Sequence, residues 1–421
     1  MAQIIKSNIV GRILKHSVFE NFVSLLVLQG VNYIIPLFAY PFLFRMLGVD
    51  KFGLFNFAWS FIQYFLVLTD FGFNFSAVKK ISENKHNPAI IERIYNNVLY
   101  AKILLTSIGF VILLTIIYFN NKFADNYVLF LASYIMVCGS TIFPTWFFQG
   151  MEKMKIITII NALSKVVAFI PMFFLVRNPE HFTIVPFFFS AGYVISGIVG
   201  IFVVRYSFKI KVFKPKIKAI FLELKESFLY FLSRVSLSIY TTTSVVIIGF
   251  VLTDTMVGYY SAAEKIYIAI TGLYAPFILA IYPYMSRTKN RQLLKKIIIS
   301  ATILNTLGII LLILLASQIM TIIYGNASIE MIKTFKIMLF ACFVYVPSVL
   351  FGYPLLGTMG HEKQANSSVI YASLFHILLL TILLLTKNLS IYSVAISIVI
   401  TGCFEFSLRL FWVTKFKLLK L

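Results

Sequence analysis

Charge is scarce in this 421-residue chain, and acidic charge scarcest: Asp and Glu number 15 against 37 Lys and Arg, and charged residues make up 12% of the whole. A soluble domain carries about 25% charged residues, so a water-soluble fold is excluded. Cysteine is nearly absent. Cys138, Cys342 and Cys403 lie far apart inside apolar runs, with no CxxC and no Cys/His cluster. That excludes a disulfide framework and a zinc site. The five histidines show no metal spacing, and no ten-residue alternation of apolar and polar residues marks a membrane barrel. No outer connection exceeds about a dozen residues by the span assignment below, so an external catalytic domain has no room.

Hydrophobic residues supply 60% of the chain and mean hydropathy is +0.91. A membrane-crossing helix needs about 20 apolar residues, and the continuous runs predict about twelve. They cover 18–44, 53–78, 96–118, 127–149, 156–177 and 183–206, then 227–252, 258–285, 297–320, 331–356, 366–386 and 391–413. The expected class is an all-α integral membrane protein. Its first run follows Lys6, Arg12 and Lys15, exceeds a signal-peptide core and reads as a retained span.

The chain writes one segment twice. TIFPTWFFQGMEKM at 141–154 is answered 210 residues later by FGYPLLGTMGHEKQ at 351–364, with Pro144, Gly150, Glu152 and Lys153 matched by Pro354, Gly360, Glu362 and Lys363. The run starting Gly53-Leu54-Phe55 is answered by Gly258-Tyr259-Tyr260 at an offset of 205, and Asn21-Phe22 by Ser227-Phe228 at 206. Two related halves follow, each of six helices: 1–206 and 227–421, joined by a basic linker at 207–226. Such halves in membrane transporters flank a central path, here expected as a polar cavity.

A net charge of +22 does not imply nucleic acid, because it sits in short connections rather than on a basic domain. With the N-terminus inside, inner loops and tails hold 25 Lys and Arg against 7 in the outer connections. The positive-inside rule makes both termini cytoplasmic. The linker YSFKIKVFKPKIKAIFLELK reads as a polybasic amphipathic stretch against anionic membrane lipid.

A charge at mid-bilayer costs at least roughly 2.5–3.5 kcal/mol, so each needs a reason. Asn56, Ser60, Gln63, Asp70 and Asn74 recur at helical spacing in the second span, as do Asn21, Gln29 and Asn32 in the first, ahead of Pro36 and Pro41. In the second half, Ser227, Arg234, Ser238 and Thr241 form one stripe, and Tyr260, Glu264, Tyr267, Thr271 and Tyr274 another, with Lys265 adjacent. Lys165, with Asn161 and Ser164 beside it, lies too deep to snorkel easily. Candidate substrate contacts are Lys165, Arg234, Lys265, Arg45, Gln29, Asn32 and Gln63. Arg45 reads equally as an interfacial anchor. Asp70 and Glu264 are candidates for ion coupling or for plain buried ion pairs. Glu405 and Arg409 read as a local i,i+4 pair, and His376 as a satisfied interior histidine. A cationic lining suits a large anionic ligand, since Arg binds phosphate through paired hydrogen bonds. No catalytic constellation is present, and a transporter is expected rather than an enzyme.

The opening NFVSLLVLQGVNYIIPLFAYPFLFRMLGVDKFGLFNFAWS, with DFGFNFSA at 70–77, resembles the Wzx-type O-antigen flippases. The carrying residues are Gln29-Gly30-Val31-Asn32-Tyr33, Pro41, Arg45, Leu47-Gly48, Phe52-Gly53 and Gly72-Phe73-Asn74. Pro144 to Met154 resembles that family's signature between its fourth and fifth helices. The family falls within the multidrug/oligosaccharidyl-lipid/polysaccharide exporter (MATE-like) superfamily. The resemblance implies a MATE-like fold and a flippase in the bacterial inner (cytoplasmic) membrane. Its substrate is an undecaprenyl-diphosphate-linked repeat unit of O-antigen or a related surface polysaccharide, moved to the periplasmic face by alternating access. Proton or sodium coupling and no bound cofactor are expected, with the polymerase and chain-length regulator of the pathway as candidate partners. A drug/cation antiporter would carry a more acidic cavity, a lipid II flippase two further helices, and a polymerase or acyltransferase a substantial outer loop.

Overall fold

In the computed structural model, backbone is described for residues 2–419. Side chains are described for residue 30, for 35–419 apart from 233, 236–241, 276, 277, 279, 280, 283, 284 and 287, and for no others. Among the described residues the chain is helical, with no strand. This follows from the solvent: hydrocarbon offers no hydrogen-bond partner, so each segment must satisfy its own backbone.

Nine helical segments among the described residues are long and apolar enough to cross a bilayer. Ile35–Glu83 is the first, and Pro88–Phe119, at 32 residues, is long enough to project beyond the hydrocarbon core. The expected boundaries between spans fall where local chemistry breaks the helix. Helix Ala2–Asp70 is interrupted at Gly48 (φ 74°), between the first two expected spans. A left-handed backbone of this kind suits glycine, which has no Cβ to clash. Asn87, Thr253, Asn290, Ser328 and Ser390 each cap the helix that follows, with a side-chain oxygen accepting a backbone N–H.

Contacts divide the chain into two compact units. One comprises Met1–Ile35, Ile62–Val176 and Thr183–Arg234; the other comprises Pro36–Phe61, Arg177–Phe182 and Val235–Leu421. In the first unit the most apolar stretch of Tyr127–Gly150 lies inside, 61% of it buried, against 22% of that of Pro88–Phe119. The second unit has the same arrangement: 61% of the most apolar stretch of Ile329–Gly357 is buried, against 17% of that of Arg291–Leu314. The outer helices carry apolar side chains such as Val111, Leu304 and Leu307 on open surface, the pattern expected where lipid takes the place of a protein neighbour.

Tight helix crossings occur at glycines. In the first unit a Cβ on Gly139 would stand 2.5 Å from the Val194 backbone, and one on Gly197 2.7 Å from the Gly139 carbonyl. In the second unit Gly53 and Gly258 meet: a Cβ on Gly53 would fall 2.7 Å from the Gly258 nitrogen, and one on Gly258 2.3 Å from the Val49 carbonyl oxygen. These two glycines are the pair matched at an offset of 205 in the sequence. Small residues of this kind let helix backbones approach in membranes.

The twice-written segment folds as a helix break in both copies. Tyr127–Ile142 stops before Pro144, and the short helix Thr145–Gly150 follows. In the second copy Ile329–Leu350 passes into the π-helical turn Phe351–Gly357, which contains Pro354 and a non-helical Gly352 (ψ −118°). The matched glycines serve different needs. Gly150 packs on Ile81, whose Cβ would lie 2.7 Å from an added methyl, whereas Gly360 has open space and a φ of +87°.

Candidate functional site

In the first unit Asp70 is half-buried at the end of helix Ala2–Asp70. The second polar stripe was expected on one continuous helix, but the chain breaks between Asp70 and Asn74. Phe71 (φ 41°) and Gly72 (φ 77°) turn it, and a new helix starts at Phe73. The break folds Asn74 back onto Asp70, and its Nδ2 donates to both carboxylate oxygens at 2.7 and 2.9 Å. Asp70 also acts electrostatically on Lys102, which is 3% exposed and donates to the Ser140 carbonyl at 3.2 Å. Lys102 was not singled out by sequence. Its signal was available: it is a cation seven residues into an apolar run, with Thr106 one turn further on.

Lys165 is half-buried on Met154–Leu175, where a Cβ added to Gly192 of the neighbouring helix would stand 3.5 Å from its Cα. Gln63 is half-buried and, among the described residues, approaches the Met136 sulfur at 4.0 Å. Arg234, the last residue of the first unit, is exposed. The side chains of Gln29, Asn32, Asn21, Ser238 and Thr241 lie outside the described residues.

In the second unit Glu264 is 6% exposed, and Lys265 approaches it at 3.6 Å while lying 5.0 Å above the Tyr40 ring. Adjacent residues on a helix do not face each other, so this pair is held by the groups around it rather than by spacing. Arg45 is exposed, and its guanidinium donates to the carbonyls of Ile322 (a short contact) and Ile323 (3.1 Å). Those carbonyls end helix Ala316–Tyr324. They are the groups a helix leaves unpaired and where its dipole favours a cation.

A cavity of about 490 Å³ lies within the second unit. Glu264, Glu405 and Arg409 reach it, with Tyr267, Tyr345 and Tyr353 among its walls. Glu405 and Arg409 form the expected i,i+4 bridge at 2.7 Å. Arg409 is 5% exposed and also donates through Nη1 to the Ser348 carbonyl and hydroxyl, at 2.9 and 3.1 Å. Behind Ser244 on the cavity wall, His376 is fully buried with contacts to Ser244 (3.3 Å) and Thr401 (3.0 Å). It is the satisfied interior histidine expected. No group of three His, Cys, Asp or Glu residues placed to hold a metal occurs among the described residues.

A profile of the family described as polysaccharide biosynthesis protein matches residues 18–289. The chain belongs to that family. Over 412 residues it is 30% identical to the "Putative O-antigen transporter" of Escherichia coli K12, covering 96% of this chain and 99% of that one. A protein of the same name from Shigella dysenteriae is 28% identical over 365 residues, covering 85% and 91%. Among solved structures, the chain resembles the lipid II flippase MurJ in its inward closed conformation. The TM-score is 0.74 at 16% identity, over 94% of this chain and 87% of that one. An inward-facing MATE multidrug transporter of the MOP superfamily gives 0.64 at 14% identity, over 93% and 95%. This member of the polysaccharide biosynthesis family is therefore an integral, multi-pass, all-helical protein with the fold those transporters share.

Proposed function

We propose that this chain is a flippase for lipid-linked repeat units of a bacterial surface polysaccharide. The observation that carries the reading is the near full-length similarity to O-antigen transporters of two bacteria. The proposed substrate is an undecaprenyl-diphosphate-linked oligosaccharide, moved from the cytoplasmic to the periplasmic face of the inner membrane by alternating access. The proposed layout has twelve spans in two six-helix repeats with both termini in the cytoplasm. The repeated 141–154 and 351–364 segments and the distribution of Lys and Arg support it. The protein transports rather than catalyses, as its named relatives do.

A membrane-embedded cation costs free energy unless it is paired or used. Lys102, Lys265 and Arg409 each have a carboxylate nearby, Asp70, Glu264 and Glu405, so the support for an anionic substrate comes from Lys165, half-buried within its helix. The drug/cation antiporter reading requires the opposite balance. Coupling to protons or sodium through Asp70 or Glu264 belongs to the same proposal, as do the polymerase and chain-length regulator as partners. Lys209, Lys211, Lys214, Lys216 and Lys218 of the linker are all exposed, which suits contact with anionic lipid.

The test is complementation of a flippase-deletion strain with wild type, Lys165→Ala, Arg234→Ala and Lys265→Ala at matched membrane levels. Wild type is expected to restore surface polymer, and the substitutions to reduce it while lipid-linked units accumulate on the cytoplasmic side. If the deletion strain already carries unpolymerised units on the periplasmic face, the protein acts after flipping and the reading fails.

A further inference from the structure

The basic linker of the first unit is built, not merely charged. From Arg205 through Leu222 the chain has six Lys and Arg residues and no acidic one. A block of like charges repels itself and ordinarily stays unfolded, yet this one is anchored along its length. Ile210 and Ile220 are buried in the hydrophobic cluster that contains Tyr95, Trp146 and Phe147, and Pro215, between them in sequence, is buried too. Glu223 and Glu226, the acidic residues that follow, are both bridged by Lys80, so neither neutralises the linker.

The anchor that fixes its path is Asn96, fully buried on helix Pro88–Phe119. Its Nδ2 donates to the Lys211 carbonyl at 2.9 Å and to the Glu92 carbonyl of its own helix at 2.8 Å, while its Oδ1 accepts from the Phe213 N–H at 2.9 Å. One side-chain amide thereby pairs with the linker backbone as a neighbouring strand would. Residues 209–216 form no helix or strand of their own, so these bonds hold the lysines in place.

The outward face is not that of a solvated surface. Phe213, Ile217, Phe221 and Leu222 stand open among the exposed lysines. A soluble acidic partner would pair with the charges and leave those apolar groups in water. The headgroup layer of a bilayer takes both, apolar side chains at the acyl boundary and ammonium groups at the phosphates. The linker leaves the apolar helix Val185–Ser207 directly, which brings it to that layer.

We propose that the linker is a preformed site for acidic phospholipid, with Asn96 as its positioning residue. The lysines hold the phosphodiester groups and the apolar side chains enter between the lipids. Asn96 touches no lipid and keeps the basic stretch in place. The proposal rests on the reading of the linker as a membrane-surface stretch, and not on what the protein carries.

The experiment is native mass spectrometry of the full chain released from detergent micelles, titrated with phosphatidylglycerol and with phosphatidylcholine as the neutral comparison. Wild type is expected to prefer phosphatidylglycerol tenfold or more. The double variant Lys214→Gln, Lys216→Gln should abolish the preference, since each cation at an acidic surface is worth about fivefold in binding. Asn96→Ala keeps every lysine, and as monodisperse protein it should lower the preference severalfold and speed amide exchange at Phe213. A purely structural asparagine would leave the lipid preference intact, and that result removes Asn96 from the site. The double lysine variant lies on the surface and decides the site even where Asn96→Ala does not fold. The site is overturned if wild type shows no preference or the lysine substitutions leave it unchanged. It is equally overturned if inorganic pyrophosphate or polyglutamate displaces the lipid, which would assign the lysines to a soluble phosphate or an acidic protein. Complementation by wild type is scored alongside: export without lipid preference sinks the site alone, and lipid preference without export sinks the flippase reading alone.

Discussion

Replacing Gly53 with alanine places a Cβ 1.9 Å from the backbone oxygen of Asp254 and 2.7 Å from the Gly258 nitrogen. A carbon and a carbonyl oxygen in contact stand about 3.3 Å apart, so the helices must separate by about 1.4 Å at this crossing. The obstructing atoms are backbone, and no rotamer change relieves them. Overpacking of a tight core costs about 1–3 kcal/mol, and a clash with rigid backbone belongs at the upper end. Gly258→Ala meets the Val49 carbonyl at 2.3 Å and should cost a similar amount. Both methyls need the same separation, so once the first has forced it the second enters at little further cost. The double variant should therefore be less destabilised than the sum of the two, with a coupling of about 0.5–3 kcal/mol. Gly308, with open space around it, is the control: its alanine variant should be neutral or stabilised by up to about 1 kcal/mol through helix propensity. The assay is thermal unfolding of purified protein in detergent, read by the loss of the monodisperse peak. A Gly53→Ala protein as stable as wild type, or strict additivity in the double, would refute the crossing.

Arg45→Ala should lower stability by about 1 kcal/mol, the low end expected for exposed charged hydrogen bonds. Export per folded molecule should stay near wild type. A variant that keeps wild-type stability and loses export would return Arg45 to the substrate contacts. Lys102→Met removes a buried cation that acts on Asp70, whose half-buried carboxylate keeps its Asn74 hydrogen bonds, and should cost about 1 kcal/mol. Asp70→Asn added to it should recover part of that loss in the same melting assay, and no recovery would mean the two charges are uncoupled.

Much of the architecture is legible in sequence because it is decided locally. The apolar runs that predict spans fall on the helices Pro88–Phe119, Met154–Leu175, Val185–Ser207 and Ile391–Lys415, and the intervening Asn, Ser and Thr residues act as caps. The i,i+4 bridge of Glu405 and Arg409 is likewise local. The stripe running to Asn74 misled, because helical spacing is counted as though φ stayed negative, and Phe71 and Gly72 reverse it. Lys102 went unmarked because a lone lysine in an apolar run carries no sign of its partner, and Asp70 lies 32 positions earlier.

Solvent accounts for what the sequence determined by itself. Hydrocarbon offers the backbone no hydrogen-bond partner, so long continuous apolar runs fix the helical, membrane-embedded class. Packing decided the rest. Which carbonyls Arg45 caps, that Gly53 meets Gly258, and that Glu264, Ser348 and Arg409 share one cavity depend on how helices far apart in sequence cross. Those crossings are chosen by the fit of whole surfaces, a property that no single stretch of the chain carries.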